Sequence, residues 1–148
     1  MPKVTITNAK GLVQETGSGL TVASNSIFNG KSRLNGGLIL GNETVTDAGA
    51  VSPIIPVSLL VCTTGSPAPA LANGATIGQV KHLLCLTAGG TTQDVTPTTT
   101  SGAWASLAFT AVGQAATLVW NGAGWALVSR SSGATASATA VVGLPVIG

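Results

Sequence analysis

The chain carries few side chains that could do acid–base or nucleophilic chemistry. His82 is the single histidine among 148 residues, and Asp94 is the one carboxylate between residues 48 and 130. A histidine that acts as a general base needs a nucleophile or an orienting carboxylate beside it. His82 and Asp94 could pair across a hairpin, but no activation motif surrounds either of them. We therefore predict no catalytic residues, a chain that is not an enzyme, and a structural use for His82.

The two cysteines do not indicate a metal site. Cys62 and Cys85 lie far apart in separate apolar runs, and with one histidine they do not supply the ligands of a zinc site. Because free cysteine is among the most buried residue types, the expectation is two buried thiols. A disulfide between their strands stays open as an alternative, although nothing in the sequence suggests export. No metal and no cofactor are predicted.

One short motif resembles the end of a phosphate-binding loop. Gly30-Lys31-Ser32 has the right final residues, but the position of the motif's first glycine is occupied by Asn25. The residues that follow, 33–37, do not begin a helix whose N terminus could hold a phosphate. Nucleotide binding is therefore not expected.

Three tryptophans offer two interpretations. Trp104, Trp120 and Trp125 could stack on a sugar, since aromatic faces are what such sites use. However, Trp120 and Trp125 flank residues 121–124, Asn-Gly-Ala-Gly, which is a strong hairpin signal. Cross-strand packing of the two rings would hold the register of that hairpin. The structural use is favoured, and the ligand platform remains the alternative.

Charge is scarce along the whole chain. Charged residues make up 7%, against roughly 25% in a typical soluble domain, and residues 48–80 and 95–129 contain none. The net charge of +2 is too weak to steer nucleic acid, and no run of about 20 apolar residues predicts a membrane helix. A soluble monomer relies on interspersed charges to avoid association. We therefore expect much of the surface to lie against other copies or other proteins.

The elements that hold these residues are predicted to be strands. Apolar residues recur at every second position or in short runs, and glycine, proline, serine and threonine interrupt every candidate helix. On the strand around His82, the alternation places Lys81 on the opposite face. The predicted strands are residues 57–62, 79–87, 93–96, 103–110, 115–120 and 125–130. Several short strands with regular turns indicate an all-β domain of the sandwich, jelly-roll or barrel type.

Composition divides the chain into three regions. Residues 1–50 are predicted to form an extended arm or stalk, because their apolar segments are too short to bury a core. Residues 51–130 are predicted to form a β-sandwich or jelly-roll-like domain. Residues 131–148 consist of small and apolar side chains and are predicted to form a C-terminal tail.

Five segments of the chain combine turn residues with apolar positions in a recognisable pattern. They are residues 71–81 (LANGATIGQVK), 88–90 (AGG), 95–98 (VTPT), 111–120 (AVGQAATLVW) and 124–129 (GWALVS). With these segments, residues 57–130 resemble a β-rich module of tailed-bacteriophage virion proteins, which occurs in capsid decoration (cement) proteins and in fibre or tailspike proteins. The resemblance implies a homotrimer without catalytic residues, and the Asn-Gly pattern of residues 25–42 is similar to the stalks of trimeric phage fibres.

Composition and resemblance together predict a non-enzymatic virion structural protein, assembled in the host cytoplasm. We expect a trimeric capsid decoration protein that binds the major capsid protein, or other virion proteins, and stabilises the shell through its arm. The alternative is a tail or head fibre component in which the tryptophans bind a host glycan. The shortness of the chain favours the first. Capsid or tail location, host and strand order stay open.

Overall fold

The computed structural model describes residues 34–137 together with Asn29, Lys31 and Ser32. The chain divides into two units, residues 1–38 and 39–148. The described residues of the first unit form no regular element, and those of the second form ten strands and no helix. In this part of the chain, accordingly, no helix is long and apolar enough to cross a membrane. The all-β prediction is confirmed.

The strands of the described residues are β1 (Asn42–Thr46), β2 (Val57–Cys62), β3 (Ala70–Leu71), β4 (Val80–Ala88), β5 (Gln93–Pro97), β6 (Thr100–Ser101), β7 (Ser106–Phe109), β8 (Ala115–Trp120), β9 (Trp125–Arg130) and β10 (Thr135–Ser137). Three of them, β2, β8 and β9, have the bounds that the apolar runs predicted. Four strands, β1, β3, β6 and β10, were not predicted, because β3 and β6 have only two residues each and β1 and β10 lie in the predicted arm and tail.

The strands form two mixed sheets. The larger has six strands in the order β1-β2-β4-β8-β9-β6, and the smaller has four in the order β10-β7-β5-β3. From β2 to β7, successive strands alternate between the two sheets. Because the chain crosses to the other sheet and back between two strands of one sheet, those two strands can run in the same direction. As a result β2 pairs in parallel with β4, and β3 pairs in parallel with β5.

One hydrophobic cluster fills the space between the sheets. Leu60, Leu83 and Leu118 reach it from the six-stranded sheet, and Leu107 and Phe109 reach it from the four-stranded sheet. All five are almost completely buried. The two sheets are therefore two layers on a single core, which is the usual solution for burying one face of each sheet.

The compact unit extends beyond the predicted range of 51–130 on both sides. Asn42–Thr46, inside the predicted arm, forms β1 and pairs in parallel with β2. Thr135–Ser137, inside the predicted tail, forms β10 and pairs antiparallel with β7. Most of the remainder of the predicted arm and tail lies outside the described residues. Whether it is extended therefore stays a prediction.

Candidate functional site

The structure does not bring His82 and Asp94 together. His82 lies on β4, where the neighbours Lys81 and Leu83 point into the core and His82 itself points away from it. Its Nδ1 atom lies 3.1 Å from the hydroxyl oxygen of Thr117 on β8. Asp94 lies on β5 of the other sheet and also points away from the core. The two side chains therefore stand on opposite outer sides of the domain.

Both cysteines are free and buried, as the sequence predicted. Cys62 is on β2 and Cys85 is on the neighbouring strand β4. Burial raises the pKa of the Cys85 thiol, and the nearby Cys62 raises it further. Since the thiolate is the reactive form, Cys85 is a poor nucleophile. Among the described residues, no group of three or more metal-ligating side chains could hold an ion.

The tryptophans belong to the core. Trp120 and Trp125 are directly opposite each other in the β8–β9 hairpin, with ring centroids 5.6 Å apart and an edge-to-face angle of 62°. Trp104, Trp120 and Trp125 are 6%, 6% and 0% exposed, respectively. The indole of Trp125 also donates a hydrogen bond of 2.9 Å to the carbonyl of Ala72. The predicted hairpin packing is confirmed, and the rings have no open face on which a sugar could stack.

A buried charge pair lies beneath the six-stranded sheet. The Lys81 ammonium donates to Glu43 Oε1 at 3.0 Å and to the carbonyls of Ser52 and Ile55 at 2.7 Å each. A lysine has three donor positions, so each of them has a partner. Glu43 Oε1 also accepts hydrogen bonds from the backbone N–H of Ser52 and from the hydroxyl of Ser58.

This pair has a structural role. The side chain of Lys81 is 0% exposed and that of Glu43 is 17% exposed, so no substrate could reach the ammonium. Burial lowers the pKa of Lys81, while the hydrogen bond and the charge of Glu43 oppose that shift. The pair ties the edge strand β1 to β4 across β2. The alternation in the sequence placed Lys81 opposite His82, but its buried partner lies 38 residues away and gave no local signal.

The described surface has no pocket, but one side of it is uncharged. We call outer face the seventeen side chains of β1, β2, β4, β8 and β9 that point away from the core. None of them is Asp, Glu, Lys or Arg. They are Asn42, Thr44, Thr46, Val57, Leu59, Val61, Val80, His82, Leu84, Leu86, Thr87, Ala115, Thr117, Val119, Ala126, Val128 and Ser129.

The apolar members of the outer face are in contact with solvent. Val80 is 40% exposed, Leu86 is 43% exposed and Val128 is 63% exposed. Leu59 on β2 and Leu84 on β4 are paired with each other. Both side chains are half-buried. Leu84 lies between Val80 and Leu86 on β4, so the exposed apolar residues share one side of that strand. Exposed apolar surface of this kind is typical of interaction sites on soluble proteins.

The four-stranded sheet has a polar outer side instead. Its outward residues on β5 are Asp94 and Thr96, and Ser106 and Ala108 follow on β7. The contrast has a physical meaning, because a sheet with one solvated side alternates apolar inward and polar outward residues. Strands β2 (VSLLVC) and β4 (VKHLLCLTA) instead carry apolar side chains on both sides, beside the inward Ser58 and Lys81 and the outward His82. Apolar residues on both sides of a strand are typical of sheets that are covered on both faces.

The comparisons with known proteins give no family. No family model matches the chain, and the search of curated proteins finds no match either. The candidate site therefore rests on the geometry and composition of the outer face.

Proposed function

We propose that this chain is a non-enzymatic structural subunit of a virion, and specifically a trimeric capsid decoration protein. The observation that carries the proposal is the outer face, which is uncharged, largely apolar and partly exposed on a folded two-sheet domain. Such a surface suits a subunit of a larger assembly, because burial against neighbours removes apolar area from water. The resemblance of residues 57–130 to modules of virion proteins supports the proposal that this larger assembly is a virion.

The proposed subunit has a sandwich-like architecture. Two sheets on one core support this part of the prediction. Four of the strand pairs in the described residues are parallel, however, whereas a jelly roll is built from antiparallel strands. We therefore propose the sandwich and the trimer without the jelly-roll connection.

The proposed attachment to the shell uses the N-terminal segment. Residues 1–38 form a unit separate from the strands, so they can be removed without cutting into β1. A longer deletion through residue 45 would also remove Glu43 and leave the Lys81 charge buried without its carboxylate. The variant that tests attachment therefore ends before Ile39.

The fibre alternative has less support. It used the tryptophans as a platform for a host glycan, and all three rings are buried. A glycan site on a fibre would have to use other residues, and no pocket in the described part of the chain offers one. We therefore rank it below the decoration protein.

The test measures mass and capsid binding together. Light scattering of the full-length chain should give a trimer, and the trimer should sediment with tailed-phage capsids that lack their own decoration protein. The chain without residues 1–38 should keep its circular dichroism and its trimeric mass but remain in the supernatant. A monomer that does not sediment with capsids would contradict the proposal, and undiminished sedimentation of the shortened chain would contradict the role of the arm.

A further inference from the structure

We infer that the outer face is the surface through which copies of this chain associate with one another. The inference rests on the proposed function, in which the chain is a homotrimer, and it names the residues at which the copies meet. Three copies would turn this face toward a common axis, so that Leu59, Leu84 and Val80 of each copy lie against outer-face residues of its neighbours.

The size of the face fits one side of a protein interface. On a sheet each outward residue occupies about 4.8 Å by about 6.7 Å, so seventeen of them cover roughly 550 Å² in projection. This projected area is of the same order as the about 800 Å² of accessible surface that each partner buries in a specific interface.

The charge distribution favours a second copy over other partners. Copies of a charged surface repel one another when the same residues meet, but the outer face contains no Asp, Glu, Lys or Arg. It also offers no charge that would select an oppositely charged partner. A polar ligand such as a sugar would find few hydrogen-bonding groups at its centre beyond His82 and Thr117, which already bond to each other.

The experiment measures the mass of full-length variants by sedimentation velocity and light scattering. Leu84→Glu and Val80→Glu place a carboxylate on the outer face, and Thr96→Glu places one on the polar side of the four-stranded sheet as the matched control. We expect association at least about a hundredfold weaker for the first two variants and unchanged for the control. Because Val80 is already 40% exposed, its variant should fold even if Leu84→Glu does not.

The outcomes separate this inference from the proposed function. If Val80→Glu remains trimeric and still sediments with capsids, the inference is wrong and the proposed function stands. If the native chain is a monomer that binds capsids, and Val80→Glu abolishes that binding, the face contacts the capsid instead and the inference is again wrong. If the native chain neither trimerises nor binds capsids, the proposed function itself fails.

Discussion

The buried pair of Lys81 and Glu43 makes the sharpest prediction about stability. Glu43→Ala removes the carboxylate and leaves an ammonium with 0% exposure held only by the carbonyls of Ser52 and Ile55. Breaking one partner of a buried pair costs about 3–5 kcal/mol, and the donors of Ser52 and Ser58 lose their acceptor as well. Since a domain has only about 5–15 kcal/mol of stability, the variant should lose a large share of it.

The double variant shows whether this cost comes from the uncompensated charge. Lys81→Met keeps an unbranched side chain of similar length, and Glu43 retains its hydrogen bonds from Ser52 and Ser58. We expect this single change to cost about 2 kcal/mol, mainly from the two carbonyls that lose their donor. Lys81→Met combined with Glu43→Ala should cost less than the sum of the single changes by about 2 kcal/mol.

Urea unfolding followed by tryptophan fluorescence measures these free energies, because all three indoles are buried in the folded chain. The titrations should be repeated at several protein concentrations, since the stability of an oligomer depends on concentration. A cost below about 1 kcal/mol for Glu43→Ala would refute the reasoning, as would costs that simply add in the double variant.

Two further predictions concern a glycine and an exposed carboxylate. A Cβ at Gly74 would lie 2.4 Å from Cγ of Trp120, so Gly74→Ala should lower the urea midpoint strongly, while Gly36→Ala, with open space around it, should change it little. The hydroxyl and backbone N–H of Thr63 hold the pKa of Asp47 below its ordinary value of 3.8. A lowered carboxyl pKa stabilises the fold above the ordinary value, and that gain is lost as pH falls through the lowered one. In thermal melts, Asp47→Asn should therefore be less stable than the native chain at neutral pH, and the two should converge in acid; a constant difference would contradict this.

Local patterns were sufficient wherever the partner is close in sequence. The β8–β9 hairpin follows from the turn at residues 121–124 and the apolar runs on either side of it, so its strands and the contact between Trp120 and Trp125 were predictable. The two faces of β4 follow from simple alternation for the same reason. Strand β1 gave no such signal, because its partner β2 runs parallel to it and is not joined to it by a tight turn.

The sequence by itself determined that this chain is all-β, that it lacks most chemistry-bearing side chains, and that much of its length is uncharged. Those properties depend on composition and short-range alternation. Only the tertiary structure decided which side of each strand is buried. Alternation cannot distinguish the two sides of β4 when one carries Lys81 and the other Leu84, because either could face the core. Glu43, far away in the chain, satisfies the lysine inside the protein, so the side of β4 with Lys81, Leu83 and Cys85 can face the core while Val80 and Leu86 stay exposed on the other side.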